Sequence, residues 1–320
     1  MNFNDDGYAA MLLTMALSPD REEYARPYST QEFRRLEAAV RKSELRRLGA
    51  LLNADISGLM IYLGMSEAEG YRAYTLLHRT VQLSYALENL SRQGIEAVTG
   101  YDSDYPERLV RRLGEAAPPF FYRCGSAALL NRPAVAIVGI QGVKTDDRVR
   151  RALDRLVSAA VGAGYVILTG GELGVSRMAA KLTAQYGGAL VDVLGGGMSE
   201  HIHADGIAEL IAVDRAAVVS LAHPEAPFTV PHAAARNRVL FSLARAAFVF
   251  NTDGRRGEHE ILQSRTCDWV YAWEGNPMSR ALISRGAIPM GDPETMDFDA
   301  MSRHWGSSDA QQMNIFDLLG

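Results

Sequence analysis

The feature that most constrains the fold is a unit of apolar strand, glycine turn and amphipathic helix that occurs three times between residues 134 and 198. Apolar runs at 134–138, 165–168 and 189–194 have strand length, and each leads into a glycine turn. Strands that alternate with helices form a mostly parallel sheet whose ligands bind at the carboxyl ends of the strands. The sequence therefore predicts an α/β fold with its ligand site at that edge.

Glycine turns at such an edge favour a phosphate-bearing ligand. Glycine lets the backbone approach a ligand closely, and the N–H groups at the start of the following helix attract anions. The candidate residues follow three strands, those at 134–138, 165–168 and 247–250: Gly139, Gln141, Gly142, Gly170, Gly171, Gly174, Gly254 and Gly257. The G-x-G-x-x-G dinucleotide fingerprint is absent, and for any one loop a purely structural turn remains an equal alternative.

A second anion-binding candidate is Arg236-Asn237-Arg238, which we place near the start of a helix over 233–243. The helix dipole already makes that end positive, so two arginines there suggest an anion held between them. The alternative is that both arginines form ordinary ion pairs with acidic neighbours.

Composition limits the class of protein. The net charge of −5 restricts any nucleic-acid contact to local basic patches. Two cysteines without metal-ligand spacing, no signal peptide and no membrane-length apolar run predict a cytoplasmic protein. His201 and His203 lie two residues apart without a third ligand, so we expect neither a metal nor a cofactor.

The periodicity divides the chain into four parts. Residues 1–92 read as a helical domain, with capping boxes at Ser29/Glu32 and Ser66/Glu69. Residues 93–131 form a connecting segment that packs on the core, 132–291 form the α/β domain, and 292–320 form a flexible tail.

The motifs, taken in order, resemble those of the DNA-processing protein A family. They are Asp102-x-x-Tyr105-Pro106, Pro118-Pro119 with Tyr122 and Gly125, Val138-Gly139, Thr169-Gly170-Gly171, Val193-Leu194-Gly195, Pro231 with Arg236-Asn237-Arg238, and Gly275-Asn276. The resemblance implies an extended Rossmann-like sheet with helices on both faces and a sterile-alpha-motif-like helical front domain. It further implies a non-catalytic homodimer that binds single-stranded DNA in DNA uptake, natural transformation and recombination, and delivers it to a RecA-type recombinase.

The sequence also departs from the family pattern. Gly139-Ile140-Gln141 stands where the family has Gly-Ser-Arg, and Lys144 is the nearest cation that could compensate. Ser176 and Ala180 stand where the family has aspartate and histidine, and 253–257 lacks the family's Ser-Gly-Ser pattern.

Two alternative functions arise because the Rossmann-like superfamily to which the resemblance points also contains other nucleotide-binding proteins. A LOG-type nucleoside-monophosphate phosphoribohydrolase would use an acid near Gly254-Arg-Arg-Gly257-Glu-His-Glu260, although the threonine of that motif is absent. Glu258 and Glu260 are more simply explained as favourable charges at a helix start. The other alternative is a nucleotide sensor that binds a small phosphorylated signal at the sheet edge.

The last ten residues contain a possible partner-binding peptide. Gln312-Met313-x-Ile315-Phe316 resembles the short peptide that docks replication proteins on the bacterial sliding clamp. A tethered glutamine with alternating apolar anchors suits a small apolar pocket with a polar rim. A terminal helix that packs on the protein's own core is the alternative.

Overall fold

The computed structural model describes most of the chain, as residues 4–18, 24–139, 147–251, 262, 266–276, 279–291 and 296–305. Within these ranges the α-helices are α1 (Asp5–Thr14), α2 (Thr30–Lys42), α3 (Ile56–Leu63), α4 (Glu67–Leu77), α5 (Thr80–Arg92), α6 (Glu107–Leu113), α7 (Asp147–Gly162), α8 (Val175–Gln185), α9 (Ile207–Ala212), α10 (Val230–Leu243), α11 (Ser279–Ile283) and α12 (Phe298–Arg303).

The described strands form a nine-stranded sheet in the order β1-β2-β6-β5-β4-β3-β7-β8-β9. Their bounds are β1 (Ile95–Thr99), β2 (Phe120–Gly125), β3 (Ala134–Gly139), β4 (Val166–Thr169), β5 (Leu190–Leu194), β6 (Ala216–Ser220), β7 (Ala246–Asn251), β8 (Trp269–Trp273) and β9 (Ile288–Met290). β3 to β9 are mutually parallel, whereas β1–β2 and β2–β6 are antiparallel. The predicted mostly parallel α/β sheet is confirmed.

The strand order places a topological switch between β3 and β7. The chain adds β4, β5 and β6 on one side of β3, then crosses back to add β7, β8 and β9 on the other. Open α/β sheets bind ligands in the crevice outside the carboxyl ends of their strands at such a switch. The loops that leave β3 and β7 lie partly or wholly in 140–146 and 252–261, outside the described residues.

Side chains alternate between two apolar layers on the faces of the sheet. Val135 and Ile137 of β3 face the layer that contains α7 and α8, and Ala136 faces the layer that contains α10. This two-sided burial explains why the strands read as continuous apolar runs in the sequence. It also means that α8 and α10 approach the carboxyl edge from opposite faces.

Five α-helices precede the sheet in the described ranges, and the two predicted capping boxes that start α2 and α4 are present. Their core, which includes Phe33, Leu51 and Leu76, is separate from the two layers of the sheet. The predicted connecting segment is continuous with the sheet, because it supplies β1 and β2, and β2 pairs with β6.

The end of the chain corrects one predicted boundary. A flexible tail was predicted from residue 292, but α12 and the residue pair after it pack on the α7 side of the sheet. Trp305 is 1% exposed, donates from its indole nitrogen to the Tyr271 hydroxyl at 3.1 Å, and packs edge-on against Tyr165 and Phe298. The sequence signal that was missed is the apolar pair Phe298 and Trp305, seven residues apart.

Neither cysteine is paired, and both are buried. Burial raises the pKa of the Cys267 thiol to about 11, so this side chain stays neutral near neutral pH. Among the helices of the described ranges, none combines the length and the apolar character required to cross a bilayer.

Candidate functional site

The candidate site is the carboxyl edge of β4 and β5, where glycine turns bring several backbone segments together. After β4, Gly171 has a φ of 69°, a conformation that glycine adopts without strain. The Gly171 N–H donates to the Thr169 hydroxyl at 3.0 Å, which fixes the first bend of the loop. Gly139, at the end of β3, allows α8 to pack closely, because a Cβ there would lie 2.8 Å from the Val175 side chain.

Arg236 lies beneath this loop and holds it to the neighbouring strand. Its Nη1 donates to the Val193 carbonyl oxygen at 3.1 Å, and its Nη2 pairs with Glu172 Oε1 at 2.6 Å. The residue is only 5% exposed, and a Cβ on Gly170 would lie 1.9 Å from Nη1. Gly170 is therefore required to make room for the guanidinium, and Arg236 serves as an internal brace between β5 and the loop after β4.

We predicted that Arg236 and Arg238 hold one anion between them. The structure corrects this prediction, because the two side chains point to different sides of α10. The helix begins at Val230, with the Thr229 side chain capping it, so both arginines lie beyond the first turn, where the dipole acts. Residues two apart on a helix do not face each other. Arg236 turns towards the strand ends and Arg238 is exposed on a different side of α10; Asn237 between them is partly buried.

An apolar platform lies beside the glycine turn that follows β5. The segment before α10 crosses this turn closely, since a Cβ on Gly196 would lie 3.0 Å from the Phe228 Cα. Phe228 is 59% exposed, Val230 is 76% exposed, and Leu173 at the β4 loop is 51% exposed. Sequence reasoning missed this platform; its one signal was an aromatic residue between two prolines directly before a helix start.

A groove of about 540 Å³ lies between α2 and α10, farther along α10 than the platform. Arg35 and Arg238 are exposed and line it from opposite helices, with Pro118 at its wall. Arg34 also lines the groove, and its guanidinium bonds Glu37 Oε2 at 2.8 Å and the Ala117 carbonyl at 2.9 Å. The groove thus combines two exposed cations, one exposed carboxylate (Glu115) and a partly apolar wall.

Several predicted site residues lie outside the described residues. They are Gln141, Gly142 and Lys144 after β3, Gly254 and Gly257 after β7, and the peptide residues Gln312, Met313, Ile315 and Phe316. Glu258 and Glu260, the acids of the phosphoribohydrolase alternative, lie there as well. In the described ranges, no group of three or more His, Cys, Asp or Glu side chains is placed to hold a metal ion.

The family of the chain follows from a sequence comparison. A family model described as DNA recombination-mediator protein A matches residues 96–267, more than half of the 320-residue chain, and the chain belongs to that family. The match covers nearly all of the connecting segment, the strands β2 to β7 and the candidate site apart from the α2 residues that line the groove. Curated proteins yield no match to the sequence.

Solved structures share the fold at low sequence identity. DNA processing protein A from Streptococcus pneumoniae is 18% identical with a TM-score of 0.63, over 93% of this chain and 100% of that one. DNA processing protein A from Helicobacter pylori, from a study of its single-stranded DNA binding mode, is 17% identical with a TM-score of 0.52, over 63% and 94%. The first of these similarities extends through the helical front domain.

We expect Gly170→Ala to destabilise the protein by about 1–3 kcal/mol, because the added methyl group overlaps the buried Arg236 guanidinium. Gly162→Ala is the matched control, since a Cβ at the end of α7 meets no atom within 4 Å. Alanine there improves helix propensity by up to about 1 kcal/mol. Urea unfolding of both variants measures the difference, and equal stabilities would contradict the brace.

Proposed function

We propose that this protein is a recombination mediator that binds single-stranded DNA along the carboxyl edge of its sheet and in the adjoining α2–α10 groove. The observation that carries the proposal is that, in a member of this family, an exposed aromatic residue precedes α10 and an exposed arginine farther along α10 lines a groove together with Arg35. Proteins that bind single strands combine a basic groove for the backbone with aromatic faces for the bases.

The platform offers bases a surface that does not depend on their identity. Phe228 exposes 59% of its surface at the edge, next to Val230, where a base could stack. Every base has a π-face, so stacking of this kind is tolerant of sequence.

The groove offers phosphates two cations in a chain whose net charge is negative. Arg35 comes from the helical front domain and Arg238 from α10, so a strand in the groove would contact both parts of the molecule. Local positive charge on an otherwise acidic protein confines the strand to this surface. Arg236 supports the same site indirectly, as the brace that holds the loop after β4.

The remaining contacts belong to residues outside the described ranges. Gln141, Gly142, Lys144, Gly254 and Gly257 follow the two strands that flank the topological switch, so we propose that their loops complete the phosphate contacts. We further propose a cytoplasmic homodimer that acts without catalysis and delivers DNA to a RecA-type recombinase. Residues 312–316 remain a candidate peptide for the sliding clamp.

We expect the double variant Arg35→Ala with Arg238→Ala to lower the affinity for a dT oligonucleotide and to reduce its salt dependence. Each lost phosphate contact removes about 0.7 from the slope of log K against log salt for single strands, so the slope should fall by about 1.4. Fluorescence polarisation with a labelled oligonucleotide, titrated at several salt concentrations, measures both quantities.

The matched control for charge is Arg41→Ala with Arg92→Ala. These arginines are 74% and 69% exposed on α2 and α5 and pair with Glu37 and Glu88, away from the groove. The control has the same net charge as the test variant, so it should retain the wild-type slope. Equal slopes for the two double variants would contradict a DNA path through the groove.

We expect Phe228→Ala to weaken binding of the same oligonucleotide by about 1–3 kcal/mol, the range for one base stacked on an aromatic side chain. Phe228→Trp should retain the affinity, whereas Phe228→Leu, which keeps an apolar side chain without a π-face, should lose most of it. Polarisation at a fixed salt concentration gives the three affinities. If the leucine variant binds with wild-type affinity, base stacking on Phe228 is contradicted, and the side chain serves only to pack over Gly195 and Gly196.

A further inference from the structure

A second cavity lies on the other face of the sheet, between α8 and the segment that leads into α9. Its volume is about 210 Å³, and it opens at the carboxyl ends of β4 and β5 on the side opposite α10. Its walls are apolar, built from Ala180 and Ala184 of α8 and from Ala204, Ile207 and Leu210. Pockets for drug-sized ligands occupy about 300–1,000 Å³, so this one fits a single small ring.

The floor of this cavity carries a buried carboxylate. Asp192 is 1% exposed and lies on β5 between Leu190 and Leu194, which face the same apolar layer. Thr169 donates its hydroxyl hydrogen to Asp192 Oδ1, and His201 Nε2 lies 2.8 Å from Oδ2. A carboxylate has about four lone-pair sites, so these two contacts leave acceptor capacity for a ligand. Burying a charge in an apolar layer is costly, which favours a role beyond packing.

Ser176 supplies the second polar group of the floor. It lines the same cavity, is 1% exposed, and its Oγ has no hydrogen-bond partner among the described residues. Leaving a buried hydroxyl unsatisfied costs about 1–3 kcal/mol. A ligand atom that accepts or donates a hydrogen bond at this point would remove that cost.

The rim of the cavity carries two cations on α8 and one exposed carboxylate, Asp205. Arg177 and Lys181 lie four residues apart on α8, are exposed, and form no ion pair within the part of the chain that the structure describes. Like charges at this helical spacing repel each other. An anionic group bound between them would offset the repulsion.

We propose that this cavity binds a free nucleoside monophosphate whose base carries an exocyclic amine. The amine donates to Asp192, the adjacent ring nitrogen accepts from the Ser176 hydroxyl, and the phosphate lies between Arg177 and Lys181. Cytosine carries such an amine on a single ring, which suits the volume of the cavity, whereas uracil presents a carbonyl oxygen to the carboxylate. The site lies on the α8 face, so it is distinct from the proposed DNA surface and gives the protein a nucleotide-responsive function.

The direct test is isothermal titration calorimetry of the full chain with CMP and with UMP. The two nucleotides differ only at the base edge that faces the floor, so CMP should bind at least ten times more tightly. Ser176→Ala should weaken CMP binding about tenfold, since it removes one hydrogen bond from a buried site. Ala184→Leu, which fills the cavity with an apolar side chain, should abolish it.

Two sets of controls distinguish a loss of CMP binding at the cavity from a loss of folding and from an effect on the DNA surface. Arg177→Ala with Lys181→Ala should weaken CMP binding without affecting cytidine, and Arg92→Ala should change neither. All variants should retain wild-type affinity for a dT oligonucleotide, and CMP should not displace that oligonucleotide. Absence of CMP binding, equal binding of UMP, an ineffective Ala184→Leu substitution, or displacement of the oligonucleotide by CMP would each overturn the proposal.

Discussion

The Arg236 guanidinium is the interaction on which the candidate site depends. It joins the end of β5, through the Val193 carbonyl, to the loop after β4, through Glu172. Because the guanidinium occupies the space that a side chain at position 170 would need, the brace requires glycine there. Breaking a largely buried pair costs more than its formation gains, since the remaining charge stays partly desolvated. The loop geometry is therefore set by the core and does not require a ligand.

This constraint divides the carboxyl edge into two surfaces with different chemistry. On the α10 side, Phe228 and the arginines of the groove form an open surface suited to a polymer. On the α8 side, Asp192 and Ser176 form a small enclosed floor suited to one ring. The loop after β4 borders both surfaces, and Glu172 lies within the turn that connects Gly171 to α8.

Much of the fold was predictable because its strands are buried on both faces and end in glycine. The apolar runs predicted β3, β4 and β5, and the capping boxes at Ser29 and Ser66 predicted two helix starts. The site was less predictable, because side-chain direction depends on tertiary contacts. Arg236 and Arg238 are two residues apart, yet one is a buried brace and the other lines a groove. Neither the Phe228 platform nor the Asp192 cavity has a periodic signal, and Trp305 packs on the core from a segment of polar composition.

Amide hydrogen exchange of the full chain, with and without a saturating dT oligonucleotide, shows directly which segments the DNA covers. We expect slower exchange in peptides that cover 169–174, 195–197 and 226–238, which contain the glycine turns, the platform and the start of α10. We also expect unchanged exchange in α3 and in β9 at the far edge of the sheet. Protection confined to α3, α4 or the β9 edge, with none at the β4 and β5 turns, would contradict the assignment of this edge as the DNA surface.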